Sequence, residues 1–152
     1  MAISKSRGKS ENPRKKAVRS LTCGQVMVKA HVLPKDASVA DALERITKHD
    51  WDHVFIVNSE GVPIGRIHAV DILKIIARKT VNRDIAWMHA MFARELITQA
   101  SITMKQNTPL LKAAALMLSQ DINQLAVVDS EGVITGVVSH STVARHLPRF
   151  IL

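Results

Sequence analysis

The chain has 152 residues, 47% of them apolar, with 21 Lys and Arg against 13 Asp and Glu for a formal charge of +8. That length and apolar share suit one compact domain, or two small units sharing an interface, and exclude a disordered tail protein. The single cysteine excludes an intramolecular disulfide framework or a Cys-only metal site, and no apolar run reaches the roughly 18–20 residues of a membrane span.

Residues 1–20 hold Lys5, Arg7, Lys9, Arg14, Lys15, Lys16 and Arg19 against Glu11 alone, a balance of +6. The other 132 residues hold 14 basic and 12 acidic side chains, so the body is nearly neutral. The arm, with Ser, Gly and Pro and little to bury, is expected to be disordered. It has no apolar segment behind its charges and so does not read as a secretory signal. A transit peptide is disfavoured by Glu11, Pro13 and the lack of an amphipathic stripe. With the lone cysteine, this points to the cytoplasm.

After the arm the sequence repeats itself. Shifted by 71 residues without a gap, Val57-Asn58-Ser59-Glu60-Gly61-Val62 falls on Val128-Asp129-Ser130-Glu131-Gly132-Val133. Seven of the 16 positions from Asp50 to Gly65 are identical to their partners. Upstream, Val39, Ala42, Leu43 and Ile46 form the apolar stripe of a helix, as do Leu110, Ala113, Ala114 and Met117. Ser38 with Asp41, and Thr108 with Pro109, are the expected helix starts.

Each unit then reads as a short extended segment (around Val32 or Ile102), the capped helix and a strand, His53–Val57 or Gln124–Val128. A turn at Gly61 or Gly132, a return strand (Val62–His68 or Val133–Ser139) and a second helix (Ala69–Arg78 or Ser141–His146) complete it. A sheet so thin is marginal alone and should pack against its copy. The expected fold class is α/β (α+β), two β-α-β-β-α repeats packed sheet to sheet. The expected division is a basic arm at 1–20, a first repeat at 21–80, a connecting helix at 81–95 and a second repeat at 96–152.

This tandem β-α-β-β-α unit, with its acidic-Gly hairpin and a Gly three residues before a Ser or Thr, resembles the cystathionine-β-synthase (CBS) domain. The resemblance runs from about Leu21 to Leu147. It implies a regulatory module without catalysis, in which Gly-x-x-Ser/Thr-x-x-Asp at the start of the last helix binds an adenosine compound. The Asp takes the ribose hydroxyls and the hydroxyl residue approaches a phosphate, as a carboxylate and a helix start are suited to do. Here the first repeat reads Gly65, His68 and Asp71, with His in the hydroxyl position. The second reads Gly136, Ser139 and Thr142, with Thr in place of the Asp. Each copy keeps half of the motif.

Carried onto this chain, the resemblance makes Gly65, His68, Asp71, Phe55 and Val32 candidates in the first repeat. In the second, the candidates are Gly136, Ser139, Thr142, Ala126 and Ile102. Phe55 and Ala126 stand where many members have Pro beside the adenine, and Phe55 either stacks on a base or fills the cleft. Asp71 either binds ribose or caps the helix that begins near Val70. AMP, ADP and ATP are the first ligands implied, with NAD(H), S-adenosylmethionine and cyclic dinucleotides behind them. No cofactor is implied.

Other features point less far. His49 with His53 and His140 with His146 lack the spacing and partners of known zinc sites, so no metal is expected. Cys23 reads as a packed small hydrophobe rather than a reactive thiol. No Ser-His-Asp order and no Gly-x-Gly-x-x-Gly appears, so no enzyme is expected. In Asp84–Glu95, Ile85, Trp87, Met88, Met91 and Phe92 read as a buried connector or as a homodimer interface, and the composition favours the homodimer. The arm at residues 1–20 is a solubilising tail, or a non-specific contact for nucleic acid, an acidic protein or an anionic membrane surface. A regulated partner protein is implied but not named.

Overall fold

The computed structural model describes residues 21–49, 51–79, 86–97 and 100–146. The basic arm, and Asp84 and Ile85 of the connector, lie outside them. The helices are α1 Cys23–Val26, α2 Val39–His49, α3 Ala69–Lys79, α4 Ala86–Ala90, α5 Leu110–Ser119 and α6 His140–His146. The strands are β1 Val32–Pro34, β2 His53–Val57, β3 Pro63–His68, β4 Thr103–Lys105, β5 Gln124–Val128 and β6 Ile134–Ser139, and a 3-10 turn spans Ala93–Leu96. Among the described residues no helix is long and apolar enough to cross a membrane.

The strands form two three-stranded sheets, β1-β2-β3 and β4-β5-β6, of identical topology. In each, the first strand runs parallel to the middle one and the third antiparallel to it. This is the expected α+β architecture of two repeats. Both faces of β2 are buried, which explains its unbroken apolar run. Val54 and Ile56 pack under the helices with Val39, Ala42, Ile46 and Ile72, while Phe55 faces the other sheet beside Ala126 and Val137. In β5, Leu125 and Val127 face the helices and Ala126 the other sheet.

The hairpin turns form for the expected reason. Gly61 and Gly132 have φ of +82° and +84°, which a side chain would resist. Asn58 Oδ1 accepts the backbone N–H of Glu60 and Val62, and Asp129 Oδ1 does the same for Glu131 and Val133. At α2 the cap is reciprocal: Asp41 N–H donates to Ser38 Oγ and Ser38 N–H to Asp41 Oδ2, both at 3.0 Å. The expected Thr108 cap does not form. Helix α5 begins at Leu110 with Pro109 as N-cap and no side-chain cap bond, and the Leu21 carbonyl accepts the Leu110 N–H at 2.8 Å.

That last bond belongs to a crossing of the chain. Cys23 and Gly24 donate to the carbonyls of Thr108 and Gln106, both at 2.8 Å, and Cys23 and Val26 join the core under the second sheet. In mirror fashion Val39 N–H bonds the Met91 carbonyl, Ala93 N–H bonds the Ala37 carbonyl, and Ala93 and Leu96 enter the first core. Each repeat is thus completed by the segment that leads into the other. Met88 is buried in the first core and Trp87 and Met91 pack against it. Trp87 and Met91 stay half-buried, and Phe92 of the same segment is exposed.

Candidate ligand site between the repeats

Where the two sheets meet, the start of α3 faces the loops that lead into β4 and β5. One cavity of about 380 Å³ lies between Phe55 and Arg66 of the first repeat and Ser101, Ile102, Asp121, Ile122 and Gln124 of the second. A neighbouring one of about 450 Å³ lies between Asp52, His53, His68, Val70 and Leu73 and, from the second repeat, Asn123 and Gln124. Gln124 lines both, so the two cavities adjoin and together make up the cleft between the repeats.

Arg66 stands at the junction. β-Strand alternation turns Ile67 into the helix-covered core and Arg66 toward the other repeat. Its Nη1 donates to Asn123 Oδ1 at 3.3 Å and to the Gln124 carbonyl at 3.4 Å, both long for a guanidinium. Burial pushes its pKa down, and the charge of Asp71 opposes that shift. Burial also lowers His68, helped by Arg66 and opposed by Asp71 and Asp52. Asp71 is therefore close enough to act on both groups. Buried side-chain atoms left without a hydrogen-bond partner include Ser101 Oγ, Gln124 Oε1 and His53 Nε2, all from residues that line this cleft.

Chemically, the cleft offers an apolar end (Phe55, Ile102, Ile122), a cation bonded only to neutral groups, and polar atoms awaiting partners. Among the described residues no three His, Cys, Asp or Glu side chains are placed to hold a metal ion.

The CBS-domain family profile matches residues 23–78 and 93–149. The chain belongs to the CBS-domain family. Both of its repeats are CBS domains, and together they form a pair. A curated relative, the uncharacterized protein MJ1404 of Methanocaldococcus jannaschii, is 30% identical over 128 residues, 84% of this chain. The chain spans only 28% of that relative's length. Among solved structures, a CBS domain-containing protein of Bacillus anthracis superposes with a TM-score of 0.76 at 16% identity, covering 89% of this chain and 98% of that one. CBSX2, a CBS-pair protein of Arabidopsis thaliana, has been solved in complex with AMP. That complex superposes with a TM-score of 0.70 at 23% identity, covering 86% and 98% of the two chains. These likenesses establish the CBS-pair fold.

Within this CBS pair the candidates read from the motif are distributed differently from their order in the sequence. His68 lines the cleft, and Asp71 acts electrically on it and on Arg66. His68 faces Asn123 and Gln124, Phe55 and Arg66 face Ile102, Ile122 and Gln124 of the second CBS domain, and Val32 pairs with Phe55 inside its own sheet. Phe55 lines the cavity with its edge of the inter-sheet cluster, and Ala126 is wholly buried in that cluster. Gly65 and Gly136 serve the chain crossing: a Cβ at Gly65 would strike Ile97, and one at Gly136 would lie 2.7 Å from Met27 Sδ.

Ser139 and Thr142 cap α6 reciprocally. Thr142 N–H donates to Ser139 Oγ at 3.2 Å and Ser139 N–H to Thr142 Oγ1 at 3.3 Å. Sequence reasoning missed Arg66, Ser101, Asn123 and Gln124. A signal existed for Arg66 alone, a cation in a strand whose 71-residue counterpart is Val137.

Proposed function

We propose that this CBS pair senses an adenosine nucleotide (AMP, ADP or ATP) in the cleft between Arg66, His68 and Asp71 and the facing Ser101, Ile102, Ile122 and Gln124. The observation that carries the reading is Arg66. It is a half-buried cation whose hydrogen bonds go to two neutral acceptors, with the charge of Asp71 nearby. A half-buried guanidinium with donors left over favours an arriving anion, and a phosphate is the natural one. Asp71 suits a ribose diol, since a carboxylate can accept from both hydroxyls. Phe55, Ile102 and Ile122 offer a base its apolar faces. CBSX2, solved with AMP, supports the ligand class by analogy.

The response would be a population shift in which ligand favours one packing of the two repeats and alters contacts with a regulated protein. Homodimerisation in the cytoplasm, through the connector that carries Trp87, Met91 and the exposed Phe92, is part of the proposal. The competing scaffold role of residues 1–20 rests on their charge alone. Calorimetry with AMP, ADP, ATP and adenosine is the test. Arg66→Ala and Asp71→Ala should each weaken nucleotide binding about 10- to 100-fold, the worth of one charged hydrogen bond. Undiminished affinity in both variants would remove this cleft from the function.

A further inference from the structure

The pseudo-symmetry of the pair supplies a second cleft to compare with the first. Under the 71-residue shift, Ile102, Gln120, Ile122 and Gln124 fall on His31, His49, Trp51 and His53. At these four positions aliphatic or amide side chains are replaced by rings, while Phe55 has Ala126 as its counterpart. The Trp51 indole stacks on His31 with centroids 4.2 Å apart and on His49 at 4.9 Å, each at 20° between planes. His31 in turn lies 6.0 Å from His53, and His53 packs edge-on against Phe55 at 5.7 Å. These rings come from the loop before β1, the end of α2 and the start of β2, the same three places that line the open cavity in the second repeat.

The polar half of the cleft is lost as well. Arg66 has Val137 as its counterpart, an apolar residue buried in the inter-sheet cluster. Asp71 has Thr142, which is only 4% exposed. Its hydroxyl lies 3.1 Å from Ser139 Oγ, which is itself 2.7 Å from Ser141 Oγ. The hydroxyls that would meet a phosphate are already satisfied by one another and by the α6 backbone.

We infer that this counterpart cleft is closed by the chain's own His31–Trp51–His49 stack, so that each chain takes one nucleotide and not two. The inference rests on the nucleotide reading above and adds its stoichiometry and its asymmetry. A ligand in the counterpart cleft would have to unstack three rings and would meet no counterpart of Arg66 or of Asp71. One occupied cleft in a pseudo-symmetric pair also gives the ligand a lever, because it pulls on one side only.

The test uses the full chain. Titration calorimetry with AMP and ATP should give one site per chain, lost by at least tenfold in affinity in Arg66→Ala. In a Trp87→Phe background, Trp51 is the sole tryptophan and reports directly on the stack. In that background, with Arg66→Ala added, its emission should not respond to either nucleotide. Two sites per chain in the unaltered protein would overturn the inference without touching the nucleotide reading. So would a saturable Trp51 response that survives Arg66→Ala. Absence of binding by any nucleotide would overturn the nucleotide reading itself, and this inference with it. The stoichiometry of the unaltered chain decides the matter even if a variant fails to fold.

Discussion

His53 shows how much one residue's surroundings can impose. It is 6% exposed, its Nε2 has no hydrogen-bond partner among the described residues, and its pKa is held down to about 4. Burial is the main cause; Arg66, His31 and His68 add repulsion, and Asp52 opposes them. The folded chain keeps the ring neutral at a pH where an unfolded chain, titrating near 6.5, is protonated. Between those two values the unfolded state binds more protons, so stability falls as pH falls from about 6.5 to about 4. Above that window the ring is neutral in both states and contributes no slope. His31 and His68, also lowered, act in the same direction. His53→Gln should therefore flatten, without abolishing, the decline of Tm across this window. An unchanged slope would show that His53 is not the group responsible. The motif residues were legible at this scale, because Asp71 and Ser139 sit in a recognisable spacing. Their use was not: Thr142 and Ser139 form a cap, while Arg66, outside the motif, holds the centre of the cleft.

Local elements follow the sequence closely where short-range chemistry decides them. The Ser38–Asp41 pair is a complete capping box, and the bonds from Ser38 hold the Asp41 carboxyl below its ordinary pKa. The positive φ at Gly61 and Gly132 follows from the turn itself. Strands β2 and β5 begin and end at the residues expected from their apolar runs. Helix α5 departs from this pattern because a distant carbonyl replaced the nearby hydroxyl as its first acceptor. Two substitutions separate these cases in denaturant unfolding. Ser38→Ala should cost about 1 kcal/mol, the usual worth of an N-cap. Thr108→Ala should stay within about 0.5 kcal/mol, as for an ordinary surface change. Equal losses from both would mean that Thr108 caps α5 after all.

At the scale of the whole molecule, the chain crossing joins the two repeats more firmly than sheet contact alone would. Cys23 is fully buried, and burial pushes its thiol pKa up, so it is a packing residue of a core built mostly from residues beyond 100. Cys23→Ser places a hydroxyl in that apolar core and should destabilise the chain by about 1–3 kcal/mol. Its signature is positional. Amide exchange should accelerate in β5 and β6 more than in β2 and β3, although residue 23 precedes the first sheet. Faster exchange confined to the first sheet would contradict the crossing.

The repeat, its strands, helices and turns, and the family were all written in the sequence, because they depend on spacing within a few residues or on a 71-residue likeness. The tertiary structure alone decided three further matters. It decided that each core is closed by the other repeat's leader, that Phe55 and Arg66 face Ile102 and Gln124, and that Trp51 fills the place where Ile122 leaves room. The reason is physical. Periodicity records which face of an element is buried, but not which distant element buries it. That choice is made by shape and charge between residues far apart in the chain, and so is the difference between an open cleft and a filled one.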